Sequence, residues 1–333
     1  MSMSRTIFRA ARKTCLYLIL CILLVAGALS LWPILREQAP RAGSAPQSGR
    51  HIDAADVELF IQTLGEEKNP PIILIHGMAA WSETWRPVME QLARGGWYVI
   101  AVDMPPFGYS ERPENRDYWR VAQAGRLFAL LQNLGIPKAT VVAHSYGSRA
   151  ALEFTMLHPE KVRSLVLVDP ALNGIYGSST QPSPIIDAVL SVTPVRFSFI
   201  ALTMTNPFLS RILLEKFLYD PSDATDEILA IYRRPGNLQN STRDMGHWIR
   251  GFLNGSDTGL SADVMEYKKL AIPVALIWGE EDATTPLGQG EQLKEYLHAS
   301  LFVIPNVGHI PHIEDVGTFN ATLTSALDAI AAQ

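Results

Sequence analysis

Short apolar segments alternate with helix-like segments between residues 57 and 170, and this alternation constrains the fold more than any other feature. The apolar segments cover residues 72–75, 97–102, 139–143 and 162–168. Segments of this length and composition are typical of strands buried on both faces of a parallel sheet. Helical periodicity separates them over residues 84–94, 118–134 and 147–158. The pattern predicts an α/β fold with a mostly parallel central sheet flanked by helices.

The alternation stops after residue 170 and resumes near residue 271. The intervening sequence has helical periodicity, several prolines and very apolar stretches. Two further strands and two further helices follow it, over residues 273–278, 286–298, 301–304 and 316–331. We therefore predict a core formed by residues 56–170 and 271–333, with a helical lid over residues 171–270 inserted between two strands of the sheet.

Ser145 stands directly after the predicted strand 139–143, in Ala143-His144-Ser145-Tyr146-Gly147. Small residues two positions before and after a serine permit the sharp strand-to-helix turn of a nucleophile elbow. Taken alone, the pentapeptide fits a helix N-cap serine equally well. The rest of the chain decides between the two interpretations.

Asp282 and His309 also follow predicted strands, so both are expected at the same edge of the sheet as Ser145. A neutral serine needs a base that works near pH 7, which histidine supplies, and a carboxylate orients the histidine. We therefore predict a catalytic triad of Ser145, His309 and Asp282. Asp169, at the end of strand 162–168, is the alternative acid.

Negative charge that develops on a substrate oxygen needs fixed hydrogen-bond donors. The backbone N–H groups of Tyr146, next to the nucleophile, and of Met78, after a predicted strand, are the expected oxyanion hole. His76, Gly77 and Gly147 are predicted to support this arrangement, with His76 holding the loop that carries Met78.

From about residue 57 to the C-terminus, the chain contains a series of motifs that resemble those of the α/β-hydrolase superfamily, of the lid-bearing serine esterase or lipase type, and that occur in the same order. The motifs are His76-Gly77, Asp103-Met104-Pro105-Pro106-Phe107-Gly108-Tyr109-Ser110, the elbow, Trp278-Gly279-Glu280-Glu281-Asp282 with Pro286, and Gly308-His309. Ala143 and Pro106 depart from the family pattern, which usually has glycine there. The apolar N-terminus and lid most resemble the membrane-tethered monoacylglycerol lipase-like branch.

The resemblance implies hydrolysis of carboxylic esters of lipophilic acyl groups, such as monoacylglycerols, through an acyl-serine intermediate. The same triad could instead cleave a carbon–carbon bond of a vinylogous diketone, or an amide. A third hypothesis is a non-catalytic, membrane-tethered binding protein, although a complete triad argues against it. We expect no metal and no organic cofactor, because the triad and oxyanion hole supply the chemistry.

Residues 15–35 form an uncharged apolar run about as long as a bilayer core requires. We interpret residues 1–35 as a membrane anchor and residues 36–55 as a linker. Basic residues before the run favour a cytoplasmic N-terminus and a catalytic domain outside the cytoplasm. The alternative is a signal peptide cleaved near Ala26-Gly27-Ala28, which would release a secreted protein.

Charge is distributed unevenly along the chain. Residues 1–50 carry seven basic residues and one acid, whereas the remainder carries 21 basic and 32 acidic residues. An acidic body without a basic stripe excludes nucleic acid as an expected partner. Both cysteines, Cys15 and Cys21, lie in the apolar run, so the body has no disulfide and no cysteine nucleophile.

Overall fold

The computed structural model describes residues 2–41, 43–172 and 183–332. Eight strands form a single sheet in these residues. They are β1 (Gly49–Ala54), β2 (Val57–Leu64), β3 (Pro71–Ile75), β4 (Tyr98–Val102), β5 (Ala139–His144), β6 (Val162–Val168), β7 (Val274–Gly279) and β8 (Ser300–Ile304). The order across the sheet is β1-β2-β4-β3-β5-β6-β7-β8. Strands β3 to β8 pair in parallel, and β2 joins β1 and β4 in antiparallel fashion. The predicted mostly parallel sheet is confirmed.

Helices cover the sheet and fill the interval between β6 and β7. They are α1 (Ser2–Arg36), α2 (Arg86–Arg94), α3 (Arg120–Asn133), α4 (Gly147–Leu157), α5 (Pro184–Ser191), α6 (Thr193–Leu202), α7 (Ser210–Glu215), α8 (Asp226–Arg233), α9 (Ser241–Leu253), α10 (Leu287–Leu297), α11 (Pro311–Glu314) and α12 (Val316–Ala331).

The core lies on both faces of the sheet, because neighbouring residues of a strand point to opposite sides. In β3, Ile73 and Ile75 join the apolar cluster formed with α3, α4 and α10. Ile72 and Leu74 join the cluster formed with α2 and α12. This double burial explains why the parallel strands read as continuous apolar runs.

Helices α5 to α9 lie between β6 and β7, in the predicted lid, and are called the cap below. Residues 173–182 of the predicted lid lie outside the described residues. The cap rests on the carboxyl edge of the sheet. Its backbone at Phe217 accepts a hydrogen bond from the N–H of His309 at 2.8 Å. The N–H of Tyr219 donates to Glu314 at 2.7 Å.

The prediction of a linker over residues 36–55 is wrong over residues 49–54, which form strand β1 paired with β2. The signal was missed because β1 lies at the edge of the sheet and its only bulky aliphatic residue is Ile52. Residues 36–41 also contact the cap. Ala39 forms a parallel bridge with Leu238, and Glu37 accepts a hydrogen bond from the N–H of Thr242 at 3.0 Å.

The apolar N-terminal run lies within α1. Among the described residues, no single helix is both long enough and apolar enough to cross a membrane. Helices α5 and α6 satisfy the criterion only when taken together, with a bend of 94° between them. The structure therefore does not confirm the predicted membrane anchor.

Candidate active site

Ser145 lies on a strained turn between β5 and α4. Its φ of 48° is unusual for a residue with a side chain, and its N–H donates to the carbonyl of Val168 in the neighbouring strand at 2.9 Å. A Cβ atom at Gly147 would lie 2.3 Å from the carbonyl oxygen of His76. Only glycine therefore allows α4 to approach the end of β3 this closely, and the turn has the geometry expected of a nucleophile elbow.

The structure brings the three residues of the predicted triad together. His309 Nε2 is 2.8 Å from Ser145 Oγ, and His309 Nδ1 is 2.7 Å from Asp282 Oδ2. The side chains come from the ends of β5, β7 and β8, three strands of one parallel edge. Ser145 is only 7% exposed. With a proton on Nδ1, His309 can accept the serine proton at Nε2.

Asp282 is held as an acceptor by every polar contact that it makes. Its Oδ1 accepts the N–H groups of Thr284 and Thr285 at 2.7 and 2.9 Å. Its Oδ2 accepts the hydroxyl of Thr285 at 2.6 Å as well as the His309 ring. Burial raises the pKa of Asp282, but the hydrogen bonds from His309 and Thr285 outweigh it and leave the pKa below its usual value. Asp282 is thus an ionised partner for His309.

Asp169 lies beside the triad but does not pair with His309. Its Oδ1 accepts the N–H of Gly279 at 2.9 Å. Burial and the adjacent charge of Asp282 raise the pKa of Asp169 well above its usual value. Of the two predicted acids, only Asp282 is in contact with His309.

Asp169, Asp282 and His309 are also the group of described side chains that could hold a metal ion, since they offer ligand atoms within 4.8 Å of one another. The Oδ2 atom of Asp282 and both ring nitrogens of His309 already make the contacts of the triad.

The loop after β3 lies against the nucleophile. A Cβ atom at Gly77 would lie 3.1 Å from the Cβ of Ser145. Met78, the next residue of the loop, therefore lies close to Ser145. His76 braces this loop: its Nε2 accepts the N–H of Met104 at 2.9 Å, and its Nδ1 donates to the carbonyl of Gly77 at 2.7 Å. Burial lowers the pKa of His76 to about 4, so the ring is neutral as these bonds require.

The N–H groups of Met78 and Tyr146 are the predicted oxyanion donors. Within the described part of the chain, neither is hydrogen-bonded to a protein acceptor. Both residues are half-buried next to Ser145, so their N–H groups are available to a substrate oxygen.

Glu314 and His144, which were not predicted to belong to the site, hold the loop that carries His309. The carboxylate of Glu314 accepts the N–H groups of Gly308 and Ile310, both at 2.9 Å. His144 Nε2 donates to the carbonyl of His309 at 2.7 Å, and burial lowers the pKa of His144 to about 3. The role of Glu314 could have been suspected from an acidic residue five positions after His309. No feature of the sequence indicates the contact of His144 with His309.

An aromatic cluster covers the elbow from the side of the cap. Trp248 of α9 packs against Phe107, Tyr146 and Phe252, with ring centroids 5.1–5.2 Å apart. Met78 and Ile200 belong to the same cluster. The packing next to Met78 and Tyr146 is therefore apolar and aromatic.

Comparisons with known proteins agree with this architecture. The family model described as "alpha/beta hydrolase fold" matches residues 70–197. A 2-hydroxymuconate semialdehyde hydrolase from Pseudomonas sp. (strain CF600) is 31% identical over 289 residues, which cover 83% of this chain and 92% of that protein. Other relatives, 27–31% identical, have hydrolase names of the same kind.

Lipases are also similar to this chain. Lipase 3 from Moraxella sp. (strain TA144) is 25% identical over 248 residues, covering 74% of this chain and 73% of that protein. A solved structure of a membrane phospholipase A, described as a bacterial virulence factor, superposes with a TM-score of 0.69 at 23% identity, covering 97% of this chain and all of that one. At that identity the likeness is one of fold.

Proposed function

Since this chain belongs to the α/β-hydrolase family, we propose that it is a serine hydrolase in which Ser145, His309 and Asp282 are the nucleophile, base and orienting acid. Ser145 Oγ attacks a substrate carbonyl while its proton passes to His309 Nε2. The N–H groups of Met78 and Tyr146 stabilise the resulting oxyanion. His309 then protonates the leaving group, which departs and leaves the acyl group on Ser145. A water molecule attacks this acyl-serine while His309 takes its proton, and the proton returns to Ser145 Oγ as the acid product leaves.

The substrate that the geometry favours is a lipophilic carboxylic ester, monoacylglycerols being one example. The observation that carries this proposal is the aromatic cluster of Phe107, Tyr146, Trp248 and Phe252 beside the proposed oxyanion donors. An acyl chain lying against Tyr146 and Phe252, the two half-buried rings of this cluster, would be held by burial of its CH₂ groups, at about 0.8 kcal/mol for each. The similarity to a lipase supports the same interpretation.

The names of the curated relatives favour a second reaction, hydrolysis of a carbon–carbon bond. A 2-hydroxymuconate semialdehyde contains no ester and no amide, so a hydrolase that splits it must break a carbon–carbon bond. The proposed triad could do this once the dienol has become a ketone, which makes the cleaved bond part of a vinylogous diketone. These substrates carry a carboxylate, and the Arg149 guanidinium that lies over the rings of Tyr146 and Phe252 is already paired with Asp257.

Parallel assays of one preparation decide between the two reactions. A chain-length series of nitrophenyl esters and monoacylglycerols is compared with a ring-fission dienoate, and kcat/KM is measured for each. An ester series that rises with chain length while the dienoate is not turned over supports the esterase. Turnover of the dienoate with only slow ester cleavage would favour carbon–carbon hydrolysis.

A fluorophosphonate probe tests the role of Ser145 whichever bond is cleaved. The probe should label wild type and not Ser145→Ala, whose turnover should fall by about 10⁴-fold or more. Ser148→Ala is the matched control, because Ser148 is buried in α4 and its hydroxyl donates only to the carbonyl of Ala143. Well-folded wild-type protein that the probe does not label would support the non-catalytic alternative.

We also propose that the protein is attached to a membrane through α1, with the catalytic domain outside the cytoplasm. This is supported by the uncharged run over residues 15–35 and by large exposed apolar side chains of α1 and α5, such as Leu24 and Ile185. Full-length protein should remain in the membrane fraction after carbonate extraction. A soluble, shortened chain would instead point to a cleaved signal peptide.

A further inference from the structure

Two buried carboxyl groups lie at the acid end of the proposed triad, where the chemistry uses one. Asp169 is 0% exposed and Asp282 is 4% exposed. Their carboxylate oxygens and a ring nitrogen of His309 all lie within 4.8 Å of one another. Two carboxylates this close in a buried site cannot both be ionised at low cost, so a proton is shared between them.

The hydrogen bonds show which carboxyl group holds the proton. Asp282 already accepts from His309, Thr284 and Thr285, so both of its oxygens serve as acceptors. Asp169 accepts only the N–H of Gly279, through Oδ1. Its Oδ2 is buried and has no partner among the described atoms.

We infer that Asp169 is a neutral carboxylic acid whose Oδ2–H donates to Asp282, so that Asp169 positions the triad acid without touching the substrate. This rests on the triad roles proposed above. Asp169 is anchored to β7 beside Asp282, because its N–H donates to the carbonyl of Ile277 at 3.0 Å and its Oδ1 accepts the N–H of Gly279 at 2.9 Å. The bond would hold the Asp282 carboxylate in the plane that His309 requires.

Two substitutions test whether Asp169 acts as a neutral hydrogen-bond donor or as a negative charge. Asp169→Ala removes the donor and should lower kcat by roughly 10- to 100-fold with little change in KM, because a charge-assisted hydrogen bond is lost. Asp282 becomes more basic without it, so the acid limb of the kcat/KM profile should move to higher pH. Asp169→Asn keeps a donor and an acceptor in place. It should restore most of the lost activity and return the acid limb to its wild-type position.

The pH profile is interpretable because the neighbouring titratable groups are known. Asp282, Glu314 and His309 face Asp169, and His144 and His312 lie behind His309. An ionised Asp169 would make the opposite prediction: Asp169→Asn would then remove a negative charge near His309 and move the acid limb to lower pH by about one unit. That result would overturn the proposal, as would an Asp169→Ala enzyme with unchanged kcat and pH profile.

Infrared difference spectroscopy reads the proton directly and does not require turnover. Wild-type protein minus Asp169→Asn at neutral pH should show the carbonyl stretch of a protonated carboxylic acid. Absence of that band would also overturn the proposal. If the fluorophosphonate probe failed to label the wild-type protein, the proposed function would fall, while the band would still decide whether the two carboxyl groups share a proton.

Discussion

Asp257, which follows the last helix of the cap, is buried between two arginines, and its replacement should destabilise the protein severely. Its Oδ1 accepts the backbone N–H and the Nε–H of Arg120 at 2.9 and 3.0 Å. Its Oδ2 accepts an Nη–H from Arg120 and another from Arg149, both at 3.0 Å. The side chains of Arg120 and Asp257 are 0% and 2% exposed. This ion triad joins the end of the cap to α3 and α4.

Asp257→Asn preserves the shape but turns one oxygen into an NH₂ group. Whichever way the amide is oriented, two of the four bonds are replaced by contacts between donors, and two buried guanidinium groups lose their counterion. Removing one partner of a buried ion pair costs about 3–5 kcal/mol. For a chain longer than 250 residues, about 2 °C of Tm is lost per kcal/mol, so Tm should fall by about 6–10 °C.

Thermal unfolding followed by circular dichroism checks this value, with Glu67→Gln as the matched control. Glu67 lies 3.9 Å from Arg50 and is 77% exposed, so the same carboxylate-to-amide change should move Tm by no more than about 1 °C. If Asp257→Asn lowered Tm no more than Glu67→Gln does, the buried ion cluster of Asp257, Arg120 and Arg149 would contribute nothing to stability and the reasoning would fail.

The pH dependence of the difference is a second check. Burial raises the pKa of Asp257, but the hydrogen bonds and charges of Arg120 and Arg149 outweigh it and leave the pKa below its usual value of 3.8. A carboxyl group whose pKa is lowered by folding contributes its full stabilisation above the pKa that it has in the unfolded chain. That stabilisation is lost only as the pH falls through the pKa of the group in the folded protein. The difference in Tm between wild type and Asp257→Asn should therefore stay constant from about pH 5 to about pH 9.

Two further substitutions test the elbow and the N-terminal contact with the cap. Gly147→Ala places a methyl group where the carbonyl of His76 leaves no room, so we expect loss of at least about 90% of the activity and of fluorophosphonate labelling, checked against Ser148→Ala. Glu37→Ala removes the acceptor of the Thr242 N–H at the start of α9 and should cost about 1–2 kcal/mol in urea unfolding; no change would mean that residues 36–41 do not stabilise the cap.

The strands of the parallel sheet could be predicted almost to the residue. Strand β6 occupies Val162–Val168, the range that its sequence predicts, because Leu165 to Val168 form an uninterrupted apolar run buried on both faces of the sheet. Strand β1 could not be predicted, because its residues are mostly polar and half-buried or exposed. It is held by the backbone ladder with β2, which no local pattern records.

The positions of Ser145, Asp282 and His309 could be predicted because each lies within five residues of the end of a parallel strand, and parallel strands bring their carboxyl ends together. The partners that orient these residues were less accessible. Thr285 stands three residues after Asp282, a spacing from which its contact could have been inferred. His144 reaches the carbonyl of His309 across 165 positions of sequence, and only the folded loops reveal that contact.

Helix α4 begins two residues after Ser145, the proposed nucleophile, and contacts both ends of the chain segment that carries the cap. At the beginning of the cap, Ala171 donates its N–H to the carbonyl of Ser145 at 3.1 Å and accepts from Arg149 at 2.8 Å. At its end, Asp257 pairs with Arg149, and Glu153 accepts the N–H of Ser261 at 2.7 Å. A displacement of either end of the cap must therefore strain the helix that begins beside Ser145.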